Sequence, residues 1–234
     1  MAPREPLTRT AASAAIDGVG WRYILGTLLR SVPVSSLDEA TLVAGRAVAA
    51  CGDRADAHLR LDLRPDRVEL SLQTRDRAAV TSVDTELATT ITRALAADDR
   101  HPGGATSADR ARPVQMLEIA VDALDIPAVR PFWRTVLGYT DEPGGGPTDA
   151  LVDPAGQLPA VWFQQMDEPR PQRNRIHLDI TVAHDEAEAR VVAALDAGGV
   201  LVSDAHARSF WVLADVEGNE VCVCTWQDRD PPPA

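Results

Sequence analysis

The sequence predicts an α+β chain of two successive domains, on three observations. Apolar residues recur at the helical period in some stretches and alternate strictly in others, so both element types are present. Residues 98–113 break both patterns: Asp98-Asp99-Arg100-His101-Pro102-Gly103-Gly104 runs into Ala105-Thr106-Ser107-Ala108-Asp109-Arg110, with glycine, proline and charge but no apolar period, as a linker has. Beyond them, the order strand, helix, strands is run through twice. The expected boundaries are a first domain over 1–97, a linker over 98–113, a second domain over 114–228 and a tail over 229–234. At 234 residues the chain has room for two cores of ordinary size.

In the first domain a helix is expected around Trp21 to Leu29. Ser36-x-x-Glu39 then forms a capping box ahead of Leu37, Ala40, Val43, Ala44, Ala47 and Val48, a stripe at helical spacing that Gly52 can stop. Leu59, Leu61 and Leu63 alternate with His58, Arg60, Asp62 and Arg64. After Pro65-Asp66 the alternation resumes as Val68, Leu70 and Leu72, which predicts an antiparallel hairpin with one buried face. Thr81-x-x-Asp84 opens a further helix whose Val83, Leu87, Ile91 and Leu95 share a side ready to pack on that sheet.

In the second domain the first pass is a strand over Gln115 to Val121, a helix from Pro127 to Leu137 stopped by Gly138, and strands through Gln165. The second is a strand over Arg175 to Val182, a helix from Asp185 to Ala197 stopped by Gly198-Gly199, and strands ending at Thr225. Phe132 and Trp133 fall in helical register with Val129 and Val136, which predicts core packing. In the strand pairs Trp162-Phe163 and Phe210-Trp211, neighbours face opposite sides, so one of each is expected to line a cleft. Asp215 to Asn219 reads as a turn whose Gly and Asn serve backbone geometry.

A net charge of -12 opposes the phosphate backbone, which excludes nucleic acid as the expected partner. No apolar run approaches the roughly 18 residues that cross a bilayer, and Arg4, Glu5, Arg9 and Asp17 interrupt any signal core, so no membrane is expected and the cytoplasm is the expected location. Three cysteines do not make a disulfide framework; Cys222 and Cys224 are expected on one face of a strand as free buried thiols. A homodimer is among the assemblies open to the chain.

Phe132-Trp133-Arg134-Thr135-Val136-Leu137-Gly138-Tyr139, Asn174-Arg175-Ile176-His177-Leu178-Asp179-Ile180 and Asp215-Val216-Glu217-Gly218-Asn219-Glu220-Val221-Cys222-Val223 together resemble the glyoxalase-like branch of the vicinal oxygen chelate superfamily, over about Val114 to Trp226. The resemblance implies paired βαβββ modules curled around a small-molecule cleft. Metal-using members carry four ligands, chiefly His, Gln and Glu. At the matching positions this chain offers Met116 with Glu118 on the same face, Trp162 or Gln164, His177 with Asp179, and Cys222 where a Glu is expected. Carboxylates suit hard cations and thioethers do not, so no cofactor is expected to be required, a divalent metal at His177 being the alternative. The expected ligand-binding residues are Glu118, Trp162, Gln164, His177, Asp179, Phe210, Glu220 and Cys222, with none assigned to a metal.

Gly20-Trp21, the helix from Ser36, Leu63-Arg64-Pro65-Asp66-Arg67-Val68, Leu72-Gln73-Thr74 and Val80-Thr81-Ser82-Val83-Asp84 with Leu87-Ala88 resemble a pterin-4a-carbinolamine dehydratase. That family removes water from a hydroxylated pterin with a His-His-Pro stretch and one further His, imidazoles suiting proton transfer near neutral pH. Here Ala57, His58 and Leu59 stand at the first position and Arg75 at the second, so of three imidazoles His58 alone remains. The resemblance makes His58 a catalytic candidate, with Asp62, Arg75 and Asp56 as groups that could compensate, whereas strand alternation sets it on the outer face beside Arg60 and Asp62. The function classes in view are a lyase or isomerase acting on a small metabolite, a metal-free binding or sequestering protein like the drug-binding members of the superfamily, and a regulatory or partner-binding role for the first domain.

Overall fold

A computed structural model describes residues 5–96, 115–169, 176 and 178–229, in two units, Met1–Met116 and Leu117–Ala234. The expected linker over 98–113 and the candidate ligand His177 lie outside the described residues.

In the first unit the chain opens with α1 (Arg9–Ala15), whose Thr8 hydroxyl accepts from the Ala11 N–H at 3.2 Å. The helix expected over Trp21 to Leu29 is instead a hairpin of β1 (Arg22–Ile24) and β2 (Thr27–Pro33). Ile24 pairs with Thr27, leaving the two-residue turn Leu25-Gly26 with φ of 45° and 73°. Positive φ at both positions gives the turn whose twist matches that of the flanking strands, and Gly26 adopts it without strain. Trp21, Leu25 and Leu28 imitate a helical period, but the turn geometry wins.

Helix α2 (Leu37–Cys51) starts as its capping box predicts: Ser36 Oγ accepts from the Glu39 N–H at 3.2 Å, while Glu39 takes the Ser35 N–H and hydroxyl. Of its apolar stripe, Ala40, Val43, Ala44 and Ala47 are buried, whereas Leu37 and Val48 at the stripe's ends are exposed. After a 3-10 turn over Gly52–Arg54 come the single-turn α3 (Ala55–His58) and the hairpin β3 (Leu59–Leu63) and β4 (Arg67–Leu72). A second 3-10 turn over Arg75–Arg77 leads to α4 (Ser82–Ala96). The sheet is antiparallel in the order β1-β2-β4-β3. Val68, Leu70 and Leu72 point from β4 into one core with Val43 and Ala47 of α2 and Leu87 and Ile91 of α4.

The second unit is built of two βαβββ modules. The first is β5 (Glu118–Ala123), α5 (Ile126–Leu137), β6 (Thr140–Asp141), β7 (Leu151–Val152) and β8 (Ala160–Gln165). The second is β9 (Asp179–Thr181), α6 (Ala187–Asp196), β10 (Val200–Ser203), β11 (Phe210–Ala214) and β12 (Glu220–Cys224). The sheet orders β5-β8-β7-β6 and β10-β11-β12-β9 are equivalent, and in each the first strand runs parallel to the last.

One apolar cluster draws on both modules, with Phe132, Trp133 and Val136 of α5 against Val191 of α6 and Leu213 of β11. The helices approach closely at Gly199, where a Cβ would stand 2.5 Å from the Phe132 ring. Each module also carries an Asp-x-x-Gly turn before its last strand. Asp153 accepts from the N–H groups of Ala155, Gln157 and Leu158, and Asp215 from those of Glu217 and Asn219. The second turn reaches further: Glu217 accepts from the N–H groups of Leu124 and Asp125 at 2.8 and 2.7 Å, at the start of α5. A carboxylate there meets donors that the helix leaves unpaired and the positive end of its dipole.

Candidate functional site

His58 is 1% exposed, which corrects the outer-face expectation. It ends α3 rather than lying in β3, so the strand parity that starts at Leu59 does not reach it. Its Nδ1 meets Asp84 Oδ1 at 2.7 Å across 26 residues of chain. Asp84 Oδ2 accepts from the Thr74 hydroxyl at 2.7 Å, the Thr81 N–H at 2.8 Å and the Thr81 hydroxyl at 3.1 Å. Asp84, set by α4, and Thr74, set by the end of β4, thus hold the imidazole of α3 in one orientation.

A carboxylate that only accepts requires a proton on Nδ1, so Nε2 is the ring nitrogen that Asp84 does not engage. Nε2 is buried and finds no hydrogen-bond partner among the described residues. Leaving a buried polar atom unmet costs about 1–3 kcal/mol. Arg75 is brought to the same neighbourhood, its guanidinium donating to the Leu59 carbonyl at 2.7 Å, next to His58. Asp62 lies on β3 with its carboxylate on Arg64 at 2.7 Å, both half exposed.

In the second unit the candidate residues sort onto one face of each sheet. Glu118 lies opposite Ala160, Ala120 opposite Trp162 and Asp122 opposite Gln164, all on the face away from buried Val121 and Phe163. In the other sheet Cys222 lies beside Asp179 and opposite Val212, and Cys224 opposite Phe210, so the two thiols share a face with Asp179 and Glu220. All three cysteines are free and buried. Burial pushes the Cys222 thiol up to about 12, and its hydrogen bond to Asp179 and the carboxylate's charge add to the shift. Burial also raises Cys224 and the half-buried Glu142, where Asp149 and then Glu118 add their charge.

Among the described donors, which do not include His177, the match to a metal of the kind the superfamily implies is poor. Zinc takes cysteine as thiolate, whereas burial and then the neighbouring Asp179 raise the Cys222 thiol. Met116 is 48% exposed and supplies a soft thioether. Among the described residues no group of three or more His, Cys, Asp or Glu side chains could hold a metal ion.

A cleft of about 390 Å³ opens where the two modules meet, within the roughly 300–1,000 Å³ usual for small-molecule sites. Ile119, Ala120, Val121 and Asp122 of β5 form one side, Ile176 and Leu178 the other, with Trp133 of α5 behind and Asn219 and Glu220 at the start of β12. Of the residues expected to bind ligand, Glu220 lines it; Glu118, Trp162, Gln164, Asp179, Phe210 and Cys222 lie elsewhere on the sheet faces. Trp133 is both core and wall: it is buried, and its indole N–H donates to Asp215 at 2.9 Å.

The family comparisons place one domain on each unit. Residues 118–224 match the glyoxalase-like domain, and residues 5–94 match pterin 4 alpha carbinolamine dehydratase. The chain carries both domains. Among solved structures, the transcriptional coactivator/pterin dehydratase from Brucella melitensis is 20% identical, with 38% of this chain and 98% of that chain covered and a TM-score of 0.35. A glyoxalase/bleomycin resistance protein/dioxygenase family enzyme from Burkholderia phytofirmans PsJN is 18% identical over 46% of this chain and 95% of that one, with a TM-score of 0.35. The fosfomycin resistance protein FosX from Mesorhizobium loti is 8% identical over 47% and 90%, at 0.36. No curated protein matches the chain. No helix among the described residues is long and apolar enough to cross a membrane.

Sequence reasoning missed Asp84, Thr74 and Thr81 as partners of His58, and Asp122, Asn219 and Trp133 as walls of the cleft in the glyoxalase-like domain. For the second group a signal was present. Asp153-x-x-Gly156 and Asp215-x-x-Gly218 align the two modules residue by residue, and that alignment sets the start of β12 at the module junction.

Proposed function

We propose that the chain is a small-molecule-binding protein. In this reading its glyoxalase-like domain holds an organic ligand in the cleft beside Trp133 by protein contacts alone, and its dehydratase domain keeps one oriented imidazole without the rest of its acid–base set. The cleft carries the first half of the reading: it has the size of a ligand site, an indole and aliphatic side chains for walls, and a few polar groups together at one end. The donor set favours binding without a metal, since the thiol at the glutamate position is a poor ligand in its protonated state. For the dehydratase domain, general acid–base groups contribute about 10²- to 10⁴-fold each, so Ala57 and Arg75 in place of imidazoles leave little turnover.

The test is metal analysis of protein purified without chelator, followed by thermal-shift screening of metabolites before and after EDTA. A ligand should raise the melting temperature equally in both, and Ala120→Phe, which fills the cleft, should abolish the rise. Stoichiometric zinc, nickel or iron that vanishes on His177→Ala, with ligand binding that depends on it, would overturn the metal-free reading. A dehydration assay on a pterin carbinolamine should give weak or no turnover, and brisk turnover lost in His58→Ala would show the older site to be alive.

A further inference from the structure

We propose that Cys222 and Cys224 form a dithiol site on β12 that closes on a trivalent organoarsenical, R–As(OH)2. Neither thiol is among the walls of the cleft beside Trp133, so the site stands or falls apart from it.

The strand register sets the two sulfurs together. Cys222 and Cys224 lie two apart on β12, opposite Val212 and Phe210 of β11, and Cys222 is beside Asp179 of β9, so both thiols rise from one face of the sheet. The other face of these strands carries Trp211, Leu213, Val221 and Val223, all in the apolar cluster. On the thiol face Asp179 and Thr181 are exposed, and Phe210, Val212 and Glu220 are half-buried. The thiols, 6% and 3% exposed, thus lie at the foot of a face that solvent reaches, not in the packed core. Two residues of extended strand span about 6.6 Å, near the upper limit of the Cα separations that a disulfide bridges. An atom held between the sulfurs suits that spacing better than a bond between them, because side chains on a strand lean along it and two can lean together.

The neighbours select the atom. Burial, then the hydrogen bond to Asp179 and its charge, raises the Cys222 thiol, and burial followed by the Asp179 charge raises Cys224. A metal cation has to expel both protons against these effects, and zinc asks for further ligands besides. A trivalent arsenical avoids that cost. Two As–O bonds break, two As–S bonds form, each thiol proton leaves on an arsenic hydroxyl as water, and no atom changes oxidation state. The product is neutral beside Asp179. Arsenic(III) is also pyramidal, so both sulfurs lie on one side of it, as two side chains from one strand face do. Arg229 opposes the rise at Cys224 by its charge and a hydrogen bond, which makes Cys224 the first nucleophile. Cys222, its proton held by Asp179, then closes the ring. Phe210, opposite Cys224, gives the R group an aromatic neighbour.

The experiment adds phenylarsine oxide to the reduced, folded full chain and reads intact mass and free thiols. One adduct should form per chain without denaturant, as a gain of one phenylarsenic group less two hydrogens, and two of the three thiols should disappear. Cys51→Ala should behave as the parent does. Cys222→Ser and Cys224→Ser should each hold arsenic by a single bond, so glutathione should strip them at concentrations about 10²-fold lower than the parent needs. Excess zinc should leave the thiols open to the arsenical. An adduct that requires Cys51, that forms only in urea, or that glutathione removes equally from parent and both variants would overturn the site. Loss of fewer than two thiols from the parent would do the same, whether or not the variants fold. Protection of both thiols by zinc would overturn the choice of arsenic.

Discussion

In the dehydratase domain Asp84 gathers the donors of His58, Thr74 and Thr81 into a space without solvent. In the glyoxalase-like domain Asp122, Asn219 and Glu220 stand half-buried along an open cleft. Both constellations centre on carboxylates, yet they differ in where the donors come from. In the first the protein supplies them all, and among the described residues the atom left over is His58 Nε2. In the second the Trp133 indole and the Asn219 amide donate to Asp215, and the amide also to the Asp122 carbonyl, along a cleft that is open. A closed network of this kind fixes a side chain, and an open one recruits a ligand. Stability should report the first, and affinity the second.

The largest effect expected is from Asp84→Ala. It leaves the His58 Nδ1–H and the Thr81 N–H without their acceptor and the Thr74 and Thr81 hydroxyls with only each other, and a loss of about 3–5 kcal/mol from the dehydratase domain follows. In urea denaturation followed by probes in each domain, the transition of the first domain should move to lower denaturant while that of the second stays. Equal movement of both would break the comparison by making the domains one cooperative unit.

Gly199→Ala tests the other domain. Its new methyl would lie 2.5 Å from Phe132 and 2.8 Å from the Ala194 carbonyl, and overpacking of this kind costs about 1–3 kcal/mol. The second transition alone should fall, and an unchanged one would mean that α5 and α6 separate easily. Trp133→Phe is a finer probe. It removes the indole donor to Asp215, for about 1 kcal/mol of stability, and opens the back of the cleft, so affinity for a ligand found in the thermal-shift screen should change more than the melting temperature of the free protein.

The smallest effect is a pH dependence. Burial first, then the charges of Asp149 and Glu118, hold the Glu142 carboxyl above the usual carboxylate range. The folded state therefore binds this proton more tightly than the unfolded state. The stability it contributes is present below the unfolded value and is lost as the pH rises through the folded one. Glu142→Gln should stabilise the protein at neutral pH by about 1 kcal/mol or less, given how much solvent the group sees. The gain should disappear below about pH 4, where the parent side chain is neutral too. Melting curves of parent and variant at the two pH values check the sign.

The elements with long regular patterns were legible in the sequence. The stripe of α2, the alternation of β3 and β4, and the helix carrying Phe132 and Trp133 each bury one side as their spacing requires. The hairpin β1–β2 was not, because Trp21, Leu25 and Leu28 fit two periods at once and a turn with positive φ at Leu25 leaves no mark in hydrophobicity. His58 illustrates a different limit. Its environment is made by a residue 26 positions away, and Thr81-x-x-Asp84 reads correctly as a helix start without disclosing that the same carboxylate also takes an imidazole. Asn219 was read as a turn former, which it is; its second task, tying that turn to the Asp122 carbonyl of a strand far back in the chain, depends on a contact across 97 residues.

Glu217 gives the two modules unequal parts. Its carboxylate closes the start of α5 in the other module, whereas the matching position in the first turn is Ala155, and α6 begins at Glu186 without a side-chain cap. The halves of this duplication have therefore ceased to be interchangeable. A chain made of two first modules would keep the Asp125 cap at both helix starts and lose the Glu217 contact, while one made of two second modules would keep the contact and lose the cap. The two modules share one outline, and a single side chain divides the labour between them.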